Sequence, residues 1–219
     1  MAISIREARV AMVGLGALGC EVLPRLARLP LAGITLVDGD NVEENNLDRQ
    51  QLYAAMDVGY PKATTARGWA LLVGPALDIH AEVRFLDAGN AADLLRGHQL
   101  VIDCTDDLHA KRIIDEECAT LHIPLVSGAV HERQGQVLLL HAAGAGASLR
   151  RTDLYRGTVG PEQDGCDMRR VPLDLIEVVG ERMYQLARAV LNAQPVVNGR
   201  IELCDLNAGV WRSFDAPRS

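Results

Sequence analysis

The chain has 219 residues, 48% hydrophobic but only 4% aromatic, and a formal net charge of -7. Such a length fits one domain that buries about 70% of its unfolded surface, with a core of Ala, Val, Leu and Ile as in a sheet covered by helices. The acidic balance argues against nucleic acid as a partner, and the opening MAISIREARVAMVG has no apolar run for a signal peptide or membrane span.

Val10 to Val13 reads as a buried strand, followed by GLGALG and an apolar-periodic helix from Ala17 to about Leu29. Pro24 is expected to distort this helix or confine it to a short first section. A second strand, GITLVD, ends at Asp38. Pro61 suits the first turn of a helix reaching Val73, a strand spans about Ile79 to Arg84, and Asn90 is expected to cap the short helix NAADLLRG. HQLVIDCTDD reads as a strand with a polar end, LHAKRIIDEECATLH as a helix, and IPLVSGAV and GQVLLLHA as further strands. Residues 142–170 have little periodicity, much Gly and five Arg, and irregular chain of that length inside a compact domain is usually functional. VPLDLIEVVGERMYQLARAVLN reads as a long helix and RIELCDLNAGVWRSF as a hairpin turning near Asn207 to Gly209. The expected fold is α/β, a single domain over 1–219: a mostly parallel sheet flanked by helices, with antiparallel strands added at the C-terminal side.

In GLGALG, Gly14, Gly16 and Gly19 permit a tight turn and close backbone approach to a phosphate, where unpaired helix N–H groups and the helix dipole favour an anion. Asp38, at a strand end about 20 residues on, suits a ribose hydroxyl and makes the site Rossmann-like. Hydride transfer to a nicotinamide needs no more than this. NNLDRQ adds Asn46 and Arg49, GYPKA adds Lys62, and DCTDD adds Asp103, Asp106 and Asp107, all near strand ends that a parallel sheet gathers at its carboxyl edge. Arg49 and Lys62 suit triphosphate oxygens and Asp106 a magnesium ion. Nucleotidyl transfer requires such a set, because charge builds on the phosphorus oxygens and on the departing pyrophosphate. Singly, each of these residues is as readily a solvated charge; Glu43 and Glu44 are read that way.

Taken together, GLGALGC, LVDGDNVEENNLDRQ, GYPKA, VIDCTDD and IPLVSGAVHERQGQV resemble the ThiF/MoeB/HesA family of adenylating enzymes, relatives of the ubiquitin-activating enzymes. The likeness runs from about residue 8 to 140 and more loosely through the final helix and hairpin. It implies an adenylyltransferase using ATP and Mg2+ on the C-terminal glycine carboxylate of a small ubiquitin-fold sulfur carrier (ThiS/MoaD-like, ending in Gly-Gly), with release of pyrophosphate, in a homodimer; a cytoplasmic place is expected from the five scattered cysteines, which suit a reducing compartment. Carried over by residue, it implies that Gly14, Gly16, Ala17 and Gly19 hold the phosphates and Asp38 the ribose. Asn46, Arg49 and Lys62 would take phosphate oxygens, Asp106 the metal, and Asp40 would orient its loop. Ala17 stands where the family usually has Gly, and Asp107 where it has Asn, which adds negative charge near the phosphates.

The resemblance further implies that residues 142–170 cross over the bound carrier tail. Cys166, in EQDGCDMRR, falls in that stretch; Arg169 and Arg170 would lower its pKa and Asp164 and Asp167 oppose them. A sulfur-relay role and a plain loop cysteine both remain open. The CxxC pairs that hold zinc in many members are missing, so no zinc is expected, and the other four cysteines read as core residues. Many members carry an Arg ahead of the first strand that reaches a partner subunit's site; Arg6 lies too near the strand to replace it. Attack by a carboxylate needs no proton removed, so His131 and His141 receive no acid–base role; Trp69 and Trp211 are expected to pack. Rival readings are an NAD-dependent oxidoreductase, which leaves Arg49, Lys62 and Asp106 without a task, a nucleotide-binding scaffold, and a relative acting on another carboxylate or a tRNA base. The choice between thiamine and molybdopterin pathways is open.

Overall fold

In the computed structural model, which describes residues 4–142, 149–154 and 168–216, eight strands form one sheet in the order β3-β2-β1-β4-β5-β6-β7-β8. Strands β1 (Arg9–Val13), β2 (Gly33–Val37), β3 (Asp78–Glu82), β4 (Leu100–Asp103) and β5 (Leu125–His131) are parallel. Strands β6 (Gln134–Leu140), β7 (Arg200–Asp205) and β8 (Val210–Asp215) extend the sheet by antiparallel pairing. The helices are α1 (Ala17–Leu26), α2 (Lys62–Val73), α3 (Ala91–Leu95), α4 (Leu108–Leu121), α5 (Arg151–Leu154) and α6 (Leu173–Leu191).

The continuous apolar runs of β1 and β4 follow from burial on both faces. Alternate side chains serve opposite layers: Val10, Met12, Leu36 and Ile102 pack with α1, α2 and α6, whereas Ala11, Val13, Val101 and Leu125 pack with α3 and α4. Helix α6 lies close under the β5–β6 hairpin, because Gly128 and Gly135 have no side chain; a Cβ on Gly128 would stand 2.2 Å from Met183 Sδ. Among the described residues no helix is long and apolar enough to cross a membrane.

Several expectations need correction. Helix α1 ends at Leu26, short of the expected Leu29; Pro24 lies inside it, lacks the N–H that would bond to the Cys20 carbonyl, and the helix stops two residues later. Strand β3 ends at Glu82, so Arg84 and Phe85 belong to the loop after it. Asn90 occupies the cap position of α3, but its side chain makes no capping bond; Oδ1 accepts from Asp87 N–H and Nδ2 donates to the Phe85 carbonyl, tying the preceding loop. The irregular stretch 142–170 contains the helical turns Arg151–Leu154 and Met168–Arg170. Trp69 packs on the core, whereas Trp211 on β8 is 38% exposed. Cys20, Cys104, Cys118 and Cys204 are buried, as expected, and burial pushes the Cys20 thiol up to about 12. Cys166 lies outside the described residues.

The strand order reverses between β1 and β4, whose following helices α1 and α4 go to opposite faces. That divergence opens a crevice at the carboxyl ends, where ligands bind in sheets of this kind.

Candidate active site

A cleft of about 710 Å³ occupies this crevice. It runs from Arg84 and Phe85 after β3, past Asp38 after β2 and Gly14 after β1, to Thr105 and Asp106 after β4 and Gln136 on β6. Gly14 has φ +88°, and a Cβ there would stand 2.8 Å from the Cys104 carbonyl carbon. A Cβ on Gly19 would stand 2.3 Å from the Gly14 carbonyl oxygen, so Gly19 lets α1 sit down on the turn. Gly16 is the N-cap of α1 and nothing approaches its missing Cβ more closely than Gln50 Nε2 at 3.9 Å. The first-turn N–H groups have no acceptor within the helix, and with Gly16, Ala17 and Leu18 lining the cleft they offer it a partial positive charge.

The acidic loop after β2 is held by its own carboxylates. Asp38 accepts the Leu15 N–H at 2.6 Å and the Asp40 N–H at 2.8 Å, fixing the glycine turn to the loop. Burial raises its pKa above the ordinary value, against the pull of those two N–H donors and Lys62. Residue Asn41 bridges Pro61, and Lys62 N–H bonds to the Asp40 carbonyl, so the loop and the start of α2 are laced together. That lacing buries Lys62, with Nζ 3.2 Å from Asp40 Oδ2. Arg49 is held by the Asn45 carbonyl at 2.7 Å and by Asp48 at 2.8 Å, with Asn46 Oδ1 at 3.4 Å. Gln50 donates to Asn46 Oδ1 at 2.8 Å, and its own buried Oε1 has no partner among the described residues.

Beyond β4 a second group forms the floor. Lys111 Nζ donates to Asp103 Oδ2 at 2.9 Å and to the Gly128 carbonyl at 2.8 Å. Ser127 Oγ donates to the same Asp103 oxygen at 2.5 Å, Thr105 donates to the other through N–H and Oγ1 at 3.0 and 2.7 Å, and Arg151 Nη2 donates to Ser127 Oγ at 2.6 Å. Burial would raise Asp103, but Lys111, Arg151 and the hydroxyl donors outweigh it and hold the carboxyl below its ordinary range. Asp107 caps α4 by accepting the His109 N–H at 2.8 Å, leaving exposed Asp106 as the carboxylate of DCTDD without a partner among the described residues.

Of the residues expected at a nucleotide site, Gly14, Gly16, Ala17, Asp38, Asp40, Asn46, Arg49, Lys62, Asp106 and Asp107 line this one cleft, and Gly19 supports it from below. Glu43, expected to be only solvated, lines it too. Sequence reasoning missed Phe85, Gln50, Gln136, Lys111 and Arg151, which also line it. Arg151 carried no signal because it lies in a stretch without periodicity; Lys111 could have been noticed as a cation on the same helix face as Ile114, Cys118 and Ala119. No group of three or more His, Cys, Asp or Glu side chains able to hold a metal stands together among the described residues.

Comparison with known proteins gives a consistent match. The family model described as the ThiF family matches residues 3–219. The molybdopterin-synthase adenylyltransferase of Salmonella typhimurium is 38% identical over 134 residues, covering 61% of this chain and 54% of that protein. The sulfur carrier protein adenylyltransferase of Thermus thermophilus is 35% identical over 137 residues, 63% of this chain and 51% of that one. The chain thus spans about half the length of these curated relatives. The crystal structure of E. coli MccB with MccA-N7isoASN superposes with a TM-score of 0.85 at 16% identity, over 98% of this chain and 66% of that one, a likeness of fold.

Proposed function

The chain belongs to the ThiF family, and from that premise we propose that it is an ATP-dependent adenylyltransferase acting on the C-terminal glycine carboxylate of a small ubiquitin-fold sulfur carrier ending in Gly-Gly, in a cytoplasmic homodimer. The observation that carries the reading is the convergence of Arg49, Lys62 and the N-terminus of α1 on one cleft beside Asp38. A nicotinamide site has no use for the two cations, whereas a triphosphate does. The activity of the relatives named above as carrier and molybdopterin-synthase adenylyltransferases supports a carrier protein as substrate.

Each group has a task in this reading. Asp38 takes a ribose hydroxyl through the lone pairs that Leu15 and Asp40 leave free. Phe85, 66% exposed with its ring over Gly39, offers its open face to the base. Lys62 and Arg49 are already fixed by Asp40 and Asp48, so little ordering is needed when they meet phosphate oxygens. A carboxylate oxygen attacks the α-phosphorus in line, an acyl–O–P bond forms, and the bond to the β-phosphate oxygen breaks with its electron pair leaving on pyrophosphate. No proton moves, so the reaction asks for positive charge rather than a base. Magnesium, when bound, would neutralise phosphate charge; one free carboxylate, Asp106, suits an ion that takes its other ligands from phosphates and water.

The test is ATP–pyrophosphate exchange dependent on a purified carrier ending in Gly-Gly. Arg49→Ala, Lys62→Ala and Asp106→Ala are each expected to reduce it by about two powers of ten or more. Undiminished exchange in all three would overturn the mechanism, and reduction of NAD by a substrate would favour the oxidoreductase.

A further inference from the structure

The base, ribose and phosphate groups assigned above occupy the cleft from β3 to β1 and account for Phe85, Asp38, Lys62 and Arg49. The remaining part, from β4 to β6, is lined by Thr105, Ala129, Val130, Gln136 and Arg151. Arg151 reaches this end from α5, a single helical turn docked on the rest of the domain: its main-chain N–H donates to Asp115 Oδ2 at 2.9 Å, and Asp115 in turn pairs with His141 at 2.8 Å. Its side chain is only 12% exposed.

Two cations approach the buried carboxylate of Asp103 at this end. Asp103 is fully buried and has Lys111 at 2.9 Å; Arg151 stands 3.8 Å from the same oxygen as a second cation. The other buried carboxylate here, Asp115, is taken by the Arg151 main-chain N–H and by His141, so among the described residues no carboxylate hydrogen-bonds to the Arg151 guanidinium. Arg151 has a single side-chain hydrogen bond among the described residues, to Ser127, and its buried Nε has none. Burial, more than the neighbouring charge of Arg151, lowers the pKa of Lys111, while Asp103 opposes both. A second reactant entering this end of the cleft would therefore meet a pre-positioned guanidinium with donors to spare.

We propose that Arg151 binds the carboxylate at the C-terminus of the peptide tail to be activated, holding it at the β4–β5 side of the cleft opposite the cations that hold the triphosphate. This rests on the adenylation reading for the identity of the anion, but the spare donors of Arg151 stand without it. A carboxylate is the anion the adenylation reading leaves for this end, because Arg49, Lys62 and the N-terminus of α1 already serve the triphosphate. Arg151 neutralises the attacking group as it approaches the anionic phosphates, and its planar fork fixes which oxygen faces them.

The experiment uses the full chain and a fluorescent peptide ending in Gly-Gly with a free carboxylate, alongside the same peptide as C-terminal amide. Binding of both, ATP affinity and thermal melting are measured for the native protein, Arg151→Ala and Arg151→Lys. The free-carboxylate peptide is expected to bind the native protein at least tenfold more tightly than the amide, Arg151→Ala to lose that preference, and Arg151→Lys to recover part of it, with ATP affinity within about twofold throughout. The inference is overturned if the native protein does not discriminate the two peptides, if Arg151→Ala keeps the preference, or if ATP affinity falls as steeply as peptide affinity in both folded variants. Failure of carrier-dependent exchange in the native protein, with the Arg151-dependent preference intact, would refute adenylation and leave the carboxylate site standing.

Discussion

The carbonyl carbon of Cys104 stands 2.8 Å from the point where a Cβ on Gly14 would lie. These two residues immediately follow the neighbouring strands β1 and β4, at the floor of the crevice. Because Gly14 also has φ +88°, Gly14→Ala meets a rigid backbone and a left-handed conformation at once. We expect a loss of about 2–5 kcal/mol in denaturant unfolding. A variant within 0.5 kcal/mol of the native protein, an order-of-magnitude threshold for a neutral change, would show that the floor yields.

Asp38 couples the glycine turn to the acidic loop through two N–H groups. Asp38→Ala leaves the buried Leu15 N–H without an acceptor, and stability should fall by about 1–3 kcal/mol. ATP affinity should fall with it, as titration calorimetry would show; full ATP affinity in the folded variant would remove Asp38 from the ribose role.

The ring of Phe85 lies against Gly39 so closely that a Cβ there would be 2.7 Å from it. Phe85→Ala should weaken ATP about tenfold, in line with the worth of one base–aromatic stack, and Gly39→Ala should do the same by displacing the ring. Equal affinity for ATP and a base-free triphosphate analogue in the native protein would rule out a stacking platform.

Asp103 supplies a pH dependence whose sign is fixed by its depressed pKa. A carboxyl held below its ordinary value of 3.8 in the folded state contributes stability that is complete above that value and lost as pH falls through the folded one. The melting temperature should therefore drop steeply below about pH 4. Asp103→Asn should lose about 3–5 kcal/mol at pH 7 by stranding Lys111 and show a shallower acid fall; an unchanged acid limb would assign that limb to other carboxylates.

The nucleotide half of the site was legible in the sequence because its chemistry is local. Gly14, Gly16 and Gly19 sit at spacings that a strand-to-helix turn demands, Asp38 ends a recognisable strand, and Arg49 and Lys62 flank short segments whose ends a parallel sheet must gather. The end of α1, the role of Asn90 and the end of β3 differ from the expectation by small margins, since Pro24 shortens its helix to Leu26 and an Asn can bond to the loop before a helix instead of the helix itself.

By itself the sequence determined the α/β alternation, the family and the cations for a triphosphate, because each depends on residue type at fixed short separations. Only the tertiary structure decided that Lys111 and Arg151 surround one carboxylate, Asp103, that Ser127 joins them from β5, and that Phe85 covers Gly39. Those relationships link residues 8 to 48 positions apart on separate elements, and burial, which no single segment encodes, makes their charges consequential.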